Sequence, residues 1–193
     1  MRTPLPFLAA LLLTLGSASA QSFRYQSGDL LFVSDTSDMG AAVKATTGQY
    51  THVAMIECIG DSVFVIDATQ RHGVARREIG TTFAVRMPQE LLAVYRMTET
   101  FDTAAVIAHA HSLLGLPYDD WFLPDNGRYY CSELIQECYG RFESRPMNWR
   151  NANGEVPDYW KQHFERLGVA VPEGVPGTNP TDLSRSALLQ RVR

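Results

Sequence analysis

Cysteine is scarce in this chain: three residues in 193, Cys58, Cys131 and Cys138. An odd, low count excludes a small scaffold held together by disulfides. Cys131 and Cys138 are seven positions apart on one expected helix, so their Cα atoms lie about 10 Å apart, beyond disulfide reach. Any internal bridge would therefore involve Cys58, and the favoured reading leaves Cys58 and Cys138 as buried thiols that pack as small apolar groups. Basic charge is also in short supply, with 17 Lys and Arg against 21 Asp and Glu and a formal net charge of −4. That balance argues against a nucleic-acid partner, which calls for a basic stripe. There is no internal repeat and no low-complexity tract. After the first twenty residues no apolar run reaches the roughly 18 residues needed to cross a bilayer. His-Glu-x-x-His spacing is missing too. His109 and His111 are two apart on an expected helix and point to different faces, so no metal is expected; the chemistry read below requires no organic cofactor either.

What is present begins with a leader. Arg2 supplies the positive start, Leu5 to Leu15 an apolar stretch broken only by Pro6 and Thr14, and Ala18-Ser19-Ala20 a small-x-small cleavage site. Cleavage after Ala20 is expected, with export to the periplasm or the exterior. No cysteine lies near the cut, so a bacterial-type lipid anchor is not expected. Residues 21–193 suit one domain, long enough to bury a core without staples.

Along that domain, Leu30-Leu31-Phe32-Val33 reads as a buried strand. Ser37 is placed to cap a helix over Asp38 to Thr46 that Gly48 stops. Thr51 to Cys58 and Ser62 to Ala68 read as a hairpin. Val74 to Ile79 and Leu91 to Met97 add strands. From Asp102 to Leu114 the period turns helical, with Val106, Ile107, Ala110, Leu113 and Leu114 on one face and Gly115-Leu116-Pro117 as the stop. Cys131, Leu134, Ile135, Cys138, Tyr139 and Phe142 follow helical spacing. Pro157 to Leu167 suggests another helix, and the Pro- and Gly-rich remainder reads as an ordered wrap or a tail. The sum is an α+β domain, an antiparallel sheet with helices packed on it.

One cysteine and one histidine stand out. Cys131 lies in the first turn of its helix, where the positive end of the peptide dipoles favours a thiolate. Spacing alone equally allows a buried, inert cysteine. In the strand from Thr51 to Cys58, His52 shares a side with Ala54, Ile56 and Cys58. A two-residue turn at Gly60-Asp61 pairs Ile59 with Ser62 and sets Asp67 on the face of His52, one diagonal step away. A three-residue turn would reverse that parity. An aspartate there holds one imidazole nitrogen and leaves the other for a thiol. Singly, His52 also fits a satisfied strand histidine and Asp67 a strand-end turn residue.

In this order the segments Gly28-Asp29-Leu30-Leu31-Phe32, Tyr50-Thr51-His52-Val53-Ala54, Val65-Ile66-Asp67-Ala68-Thr69, His72-Gly73-Val74, Gly115-Leu116-Pro117-Tyr118-Asp119 and Tyr129-Tyr130-Cys131-Ser132-Glu133-Leu134 resemble the circularly permuted NlpC-type, papain-like cysteine hydrolases, most closely the YiiX-like group. Gly177-Thr178-Asn179-Pro180-Thr181-Asp182-Leu183-Ser184 is similar as well. The resemblance spans nearly all of residues 21–193. It implies a permuted papain-like fold with Cys131 as nucleophile, His52 as base and Asp67 at a third polar position where relatives often carry glutamate. It also places Tyr118 where unpermuted relatives carry a tyrosine that helps to polarise the scissile carbonyl, forming an oxyanion hole with the Cys131 N–H.

Tyr50 and Tyr130 flank the candidates; each either lines the cleft or only packs. His72 is either a second proton donor or a polar hairpin end. The expected activity is cleavage of an amide or ester through an acyl-enzyme on Cys131. The substrate is a small molecule, a cell-wall peptide or an acylated lipid. The alternatives are a lipid acyltransferase and a binding module that keeps the fold without the chemistry. The sequence does not speak to oligomeric state.

Overall fold

In a computed structural model, residues 23–82 and 87–193 are described; the expected leader and its expected cleavage site lie outside them. Among the described residues an antiparallel sheet of order β4-β3-β2-β1-β5-β8 carries helices on one face. Its strands are β1 (Leu30–Val33), β2 (His52–Ile59), β3 (Ser62–Thr69), β4 (Gly73–Glu78), β5 (Leu92–Met97) and β8 (Leu189–Arg191). The helices are α1 (Asp38–Thr47), α2 (Thr103–Ser112), α3 (Cys131–Tyr139), α4 (Asp158–Leu167) and α5 (Pro180–Ser184). A short ladder joins β6 (Arg145–Pro146) to β7 (Pro176–Gly177). This is the expected α+β architecture.

Local chemistry accounts for most of these limits. Ser37 caps α1 by accepting from the Gly40 N–H, and Gly48 closes it. Gly60-Asp61 forms the two-residue turn, with Ile59 opposite Ser62 and Met55 opposite Ile66. Asp102 caps α2, which stops at Ser112, short of the expected Leu114. Leu114 is consequently exposed rather than on the buried face. Gly140 ends α3 in the left-handed region, so Phe142 is buried from outside the helix.

The sheet separates two apolar layers. Leu30, Phe32, Val53, Met55, Ile66 and Ala68 meet Leu134 and Ile135 of α3 in the larger one. Leu31, Val33, Ala54, Ile56, Val65 and Val94 form the smaller layer behind. Burying a side chain such as Leu134 is worth roughly 1.5–3 kcal/mol, so α3 is firmly seated. Cys138 is buried, but Cys58, at the hairpin end of the second layer, is only half-buried, which corrects the expectation of two buried thiols. All three cysteines are free thiols.

Two connections matter for the site. The segment after α2 runs along the edge strand β4, where Val74 N–H donates to Leu116 O (2.8 Å) and Gly115 N–H to Val74 O (2.9 Å). A Cβ at Gly73 would lie 2.3 Å from Leu116 O, so glycine is required for that approach. The C-terminal stretch is an ordered wrap with structure of its own. It forms β7 and α5 and then adds β8 to the sheet, with Met97 opposite Leu189.

Candidate active site

Cys131 is the first residue of α3, and the first-turn N–H groups of a helix have no intrahelical acceptor. Glu133, in the same turn, accepts from the Tyr130 N–H (3.3 Å). Burial pushes the Glu133 carboxyl up to about 8, which limits competing negative charge beside the helix tip.

His52 opens β2. By strand alternation it belongs with Ala54 and Ile56, on the sheet face away from α3. Yet its ring is hydrogen-bonded to Cys131. The register explains the contact. Pairing between β2 and β3 runs from Ile59–Ser62 to Met55–Ile66 and goes no further. Beyond that point β2 stays paired with β1, and β3 with β4.

The expected diagonal between His52 and Asp67 is present. His52 Nε2 donates to Asp67 Oδ2 at 2.8 Å, leaving Nδ1 as the nitrogen available to the Cys131 sulfur. Asp67 is almost fully buried and takes a second partner, the Arg77 guanidinium, whose Nη2 donates to Oδ1 at 2.5 Å. Burial alone would raise the Asp67 carboxyl. The His52 and Arg77 contacts outweigh it and hold Asp67 below the usual range. For His52, burial pulls the ring down, but negative charge at Cys131 and the bond to Asp67 carry it up to about 10. The ring is therefore an imidazolium at neutral pH, facing sulfur on one side and a fixed carboxylate on the other.

Tyr118 completes the group. It sits on the loop after α2, bridged to Tyr129, and the buried Asp119 carboxylate fixes that loop by accepting from Trp121 N–H (3.0 Å) and Leu123 N–H (2.8 Å). Burial first, then the nearby charge of Cys131, raises the Tyr118 phenol well above its ordinary value. It stays a neutral O–H donor.

Cys131 and Tyr118 stand at the junction of two hollows. One is an open cleft of about 700 Å³ bordered by His52, Arg71, His72 and Arg77. The other is a small recess of about 60 Å³ lined by Val43, Phe122, Trp149, Trp160 and Thr178, with no Asp, Glu, Lys, Arg or His in its wall. Phe122, held at φ 54°, forms the hub of the aromatic cluster with Tyr130, Trp149 and Trp160.

Of the expected residues, Cys131, His52, Asp67 and Tyr118 are brought together. Tyr130 borders the small recess, and its hydroxyl accepts from the Thr178 N–H (3.0 Å). Tyr50 does not reach either hollow. It packs in the main core against Phe32 and Tyr95. His72 stands at the mouth of the open cleft on the β3–β4 turn. His109 and His111 diverge as expected, toward Glu137 (3.3 Å) and Glu57 (3.2 Å).

Arg77 was not anticipated. The signal was available in the next turn: with Thr69 opposite Gly73, alternation puts Arg77 on the face of Asp67, one diagonal away.

Comparison with known proteins places this geometry. Residues 24–193 match the family model described as "Permuted papain-like amidase enzyme, YaeF/YiiX, C92 family". Escherichia coli K12 "Uncharacterized protein YiiX" is 28% identical over 170 residues, covering 82% of this chain and 81% of that protein. The crystal structure of a protein described as "metalloprotein yiiX", from Escherichia coli O157:H7, superimposes with a TM-score of 0.73 at 20% identity, covering 89% of this chain and 98% of the other. The word metalloprotein belongs to that relative. Among the described residues of this chain no three His, Cys, Asp or Glu side chains converge on a point that would hold a metal ion, and the Nε2 of His52 is committed to a carboxylate that Arg77 already neutralises. The chain belongs to the permuted papain-like amidase family.

Proposed function

We propose that this member of the family is a cysteine amidase working through an acyl-enzyme on Cys131, with His52 as base and acid, Asp67 orienting His52, and Tyr118 and the Cys131 N–H facing the oxyanion. The observation that carries this reading is the His52 ring, held between the Asp67 carboxylate and the Cys131 sulfur at the edge of an open cleft.

The chemistry follows from that ring. His52 holds the proton of Cys131, and the thiolate attacks the carbonyl carbon of the substrate. The oxygen gains charge and accepts hydrogen bonds from the Tyr118 hydroxyl and the backbone N–H at the helix tip. His52 then protonates the leaving nitrogen, the C–N bond breaks and a thioester remains. Water gives its proton to His52 and attacks the thioester, and the acid is released as the thiol returns. Arg77 keeps Asp67 ionised throughout, which fixes which nitrogen carries the proton.

The hollows favour a short, polar amide, such as a peptide, over a fatty acyl substrate. In the measure used for such voids one water needs about 10–15 Å³, so the 60 Å³ recess holds only a few heavy atoms. A long acyl chain has no matching tunnel in the recess, and the larger cleft sets Asp35, Arg71, His72 and Arg77 among apolar side chains such as Met39, Val43 and Met87. We include export through the expected leader in the proposal, and it would bring peptides outside the cytoplasm within reach. Lipid-ester hydrolysis and acyl transfer fit the recess less well.

Two measurements test this. Purified protein incubated in parallel with cell-wall peptide fragments and with acylated lipids, read by mass spectrometry, should release product from the peptides. Release from lipids alone would reverse the substrate assignment. Iodoacetamide at mildly acidic pH should label Cys131 far faster than Cys58 or Cys138, both of which burial raises, Cys138 to about 12. Equal, slow labelling of all three would favour a binding module.

A further inference from the structure

The C-terminal wrap touches the chain immediately beside both reacting groups. Thr178 N–H donates to the hydroxyl of Tyr130 at 3.0 Å, and Tyr130 directly precedes Cys131. Three residues later, the Thr181 hydroxyl accepts from Tyr50 N–H at 3.0 Å and donates to Tyr50 O at 3.3 Å, two residues before His52. The span between these anchors is stiff. Asn179 caps α5 by accepting from Asp182 N–H (2.8 Å) and also donates to the Asp182 carboxylate (2.8 Å). Thr178 and Thr181 are 5% and 2% exposed. At Gly177 an added Cβ would lie 2.8 Å from the Tyr130 hydroxyl, so the strap lies directly on that side chain.

This matters because the sheet does not complete the task. On the β3 side, the ladder stops at Met55, short of His52. Its other neighbour, β1, pairs with His52 to Met55 but belongs to the sheet and says nothing about the height of α3. A short bridge that grips the Tyr50 backbone at one end and Tyr130 at the other couples the strand bearing the imidazole to the helix bearing the sulfur.

We propose that Thr181 is a positioning residue: through the strap 177–181 it sets the approach of His52 to Cys131. The proposal rests on the reading of those two residues as the reacting pair. Misplacement of reacting groups by about 1 Å costs on the order of 100-fold in rate, so a clamp two residues from the imidazole has leverage on the chemistry without touching substrate.

The test is the pH profile of Cys131 alkylation by iodoacetamide, followed by peptide mass spectrometry on the full chain. A thiol ion-paired with an imidazolium keeps reacting on the acid side, where an unassisted thiol is protonated. Thr181→Val removes both bonds to Tyr50 at nearly constant shape. It should slow labelling at pH 5.5 about tenfold, while rates at pH 9.5 stay within about twofold. Thr181→Ser keeps the hydroxyl and should restore the native profile. Ser184→Ala removes a bond from the same helix to Thr181 O (2.7 Å) and should lower the melting temperature without moving the profile.

A Thr181→Val profile that overlays the native one, or a Ser184→Ala profile that shifts equally, would overturn the proposal. If Thr181→Val fails to fold, Tyr130→Phe, which removes the other anchor, must show the same acid-side loss; a native profile in folded Tyr130→Phe also overturns it. Native Cys131 labelling no faster than Cys58 or Cys138 at pH 5.5 is a separate result. It removes the reacting pair itself, and the clamp falls with it.

Discussion

The β2–β3–β4 ladder carries a carboxylate bound to a histidine and an arginine at both ends. At one end Asp67 binds His52 and Arg77. At the other Glu57 binds His111 and Arg76. The two arginines are neighbours on β4 and leave the strand on opposite faces. Both carboxyls are buried and both are held below their usual range despite that burial, Glu57 by Arg76 and His111. The chemistry on offer nevertheless differs. The His52 side chain is 15% exposed and meets a thiol at a helix tip, while the His111 side chain is 40% exposed and belongs to α2, where it braces the helix against the sheet. A carboxylate–histidine pair is thus a site only where the free side of the ring meets something to act on.

The strongest test of that contrast is removal of the reacting groups. Cys131→Ala and His52→Ala should each lower amidase turnover by about 10⁴-fold, with circular dichroism unchanged. The paired carboxyl variants come next. Asp67→Asn should cost on the order of 100-fold in kcat/KM, since the ring loses its fixed orientation, whereas Glu57→Gln should stay within about twofold of native. Similar losses in the two variants would erase the distinction.

A pH series sharpens it further. Because His52 is raised from 6.5 to about 10, its contribution to stability is complete below about pH 6.5 and is lost as pH rises through about 10. Melting temperatures of the native protein and of His52→Asn should therefore converge between pH 7 and 10.5; a constant gap would contradict the ion pair. The lowered carboxyls act in the opposite direction, stabilising above their unfolded values and losing that contribution as pH falls. Glu57→Gln should then cost about 1–3 kcal/mol near neutrality in chemical denaturation, from the charge-assisted bonds to Arg76 and His111 that it weakens. Smallest of all, His111→Ala should change stability by less than about 0.5 kcal/mol, as expected for a half-exposed pair.

Much of this was legible before the fold was known. A two-residue turn at Gly60-Asp61 sets the whole β2–β3 register, and strand parity then brings Asp67 to His52. The helix tip at Cys131 follows from its own periodicity. What escaped is instructive. Parity alone assigns His52 to the sheet face away from α3, and only the early end of the β2–β3 ladder lets the ring meet the sulfur. An arginine on a strand reads as solvated, so Arg77 was overlooked although the next turn encodes its position. Tyr50 was grouped with the cleft because it is close in sequence, but its ring packs in the core against Phe32 and Tyr95. The strand β8 is three residues long and has no pattern of its own; it exists because β5 offers an open edge.

The loop that carries Tyr118 has a second consequence, one for solubility. An exposed strand edge is a template on which another chain can add itself and start a fibril. In this sheet the β4 rim is occupied near its start by the main chain of Gly115 and Leu116, bonded to Val74. Gly73 gives that main chain the space to come so near. The opposite rim, β8, is too short to offer more than a few vacant amides. A side chain larger than hydrogen at residue 73 would therefore lift the Tyr118 segment away and also uncover a rim for neighbours to join, so poor activity and aggregation would arrive together from one substitution.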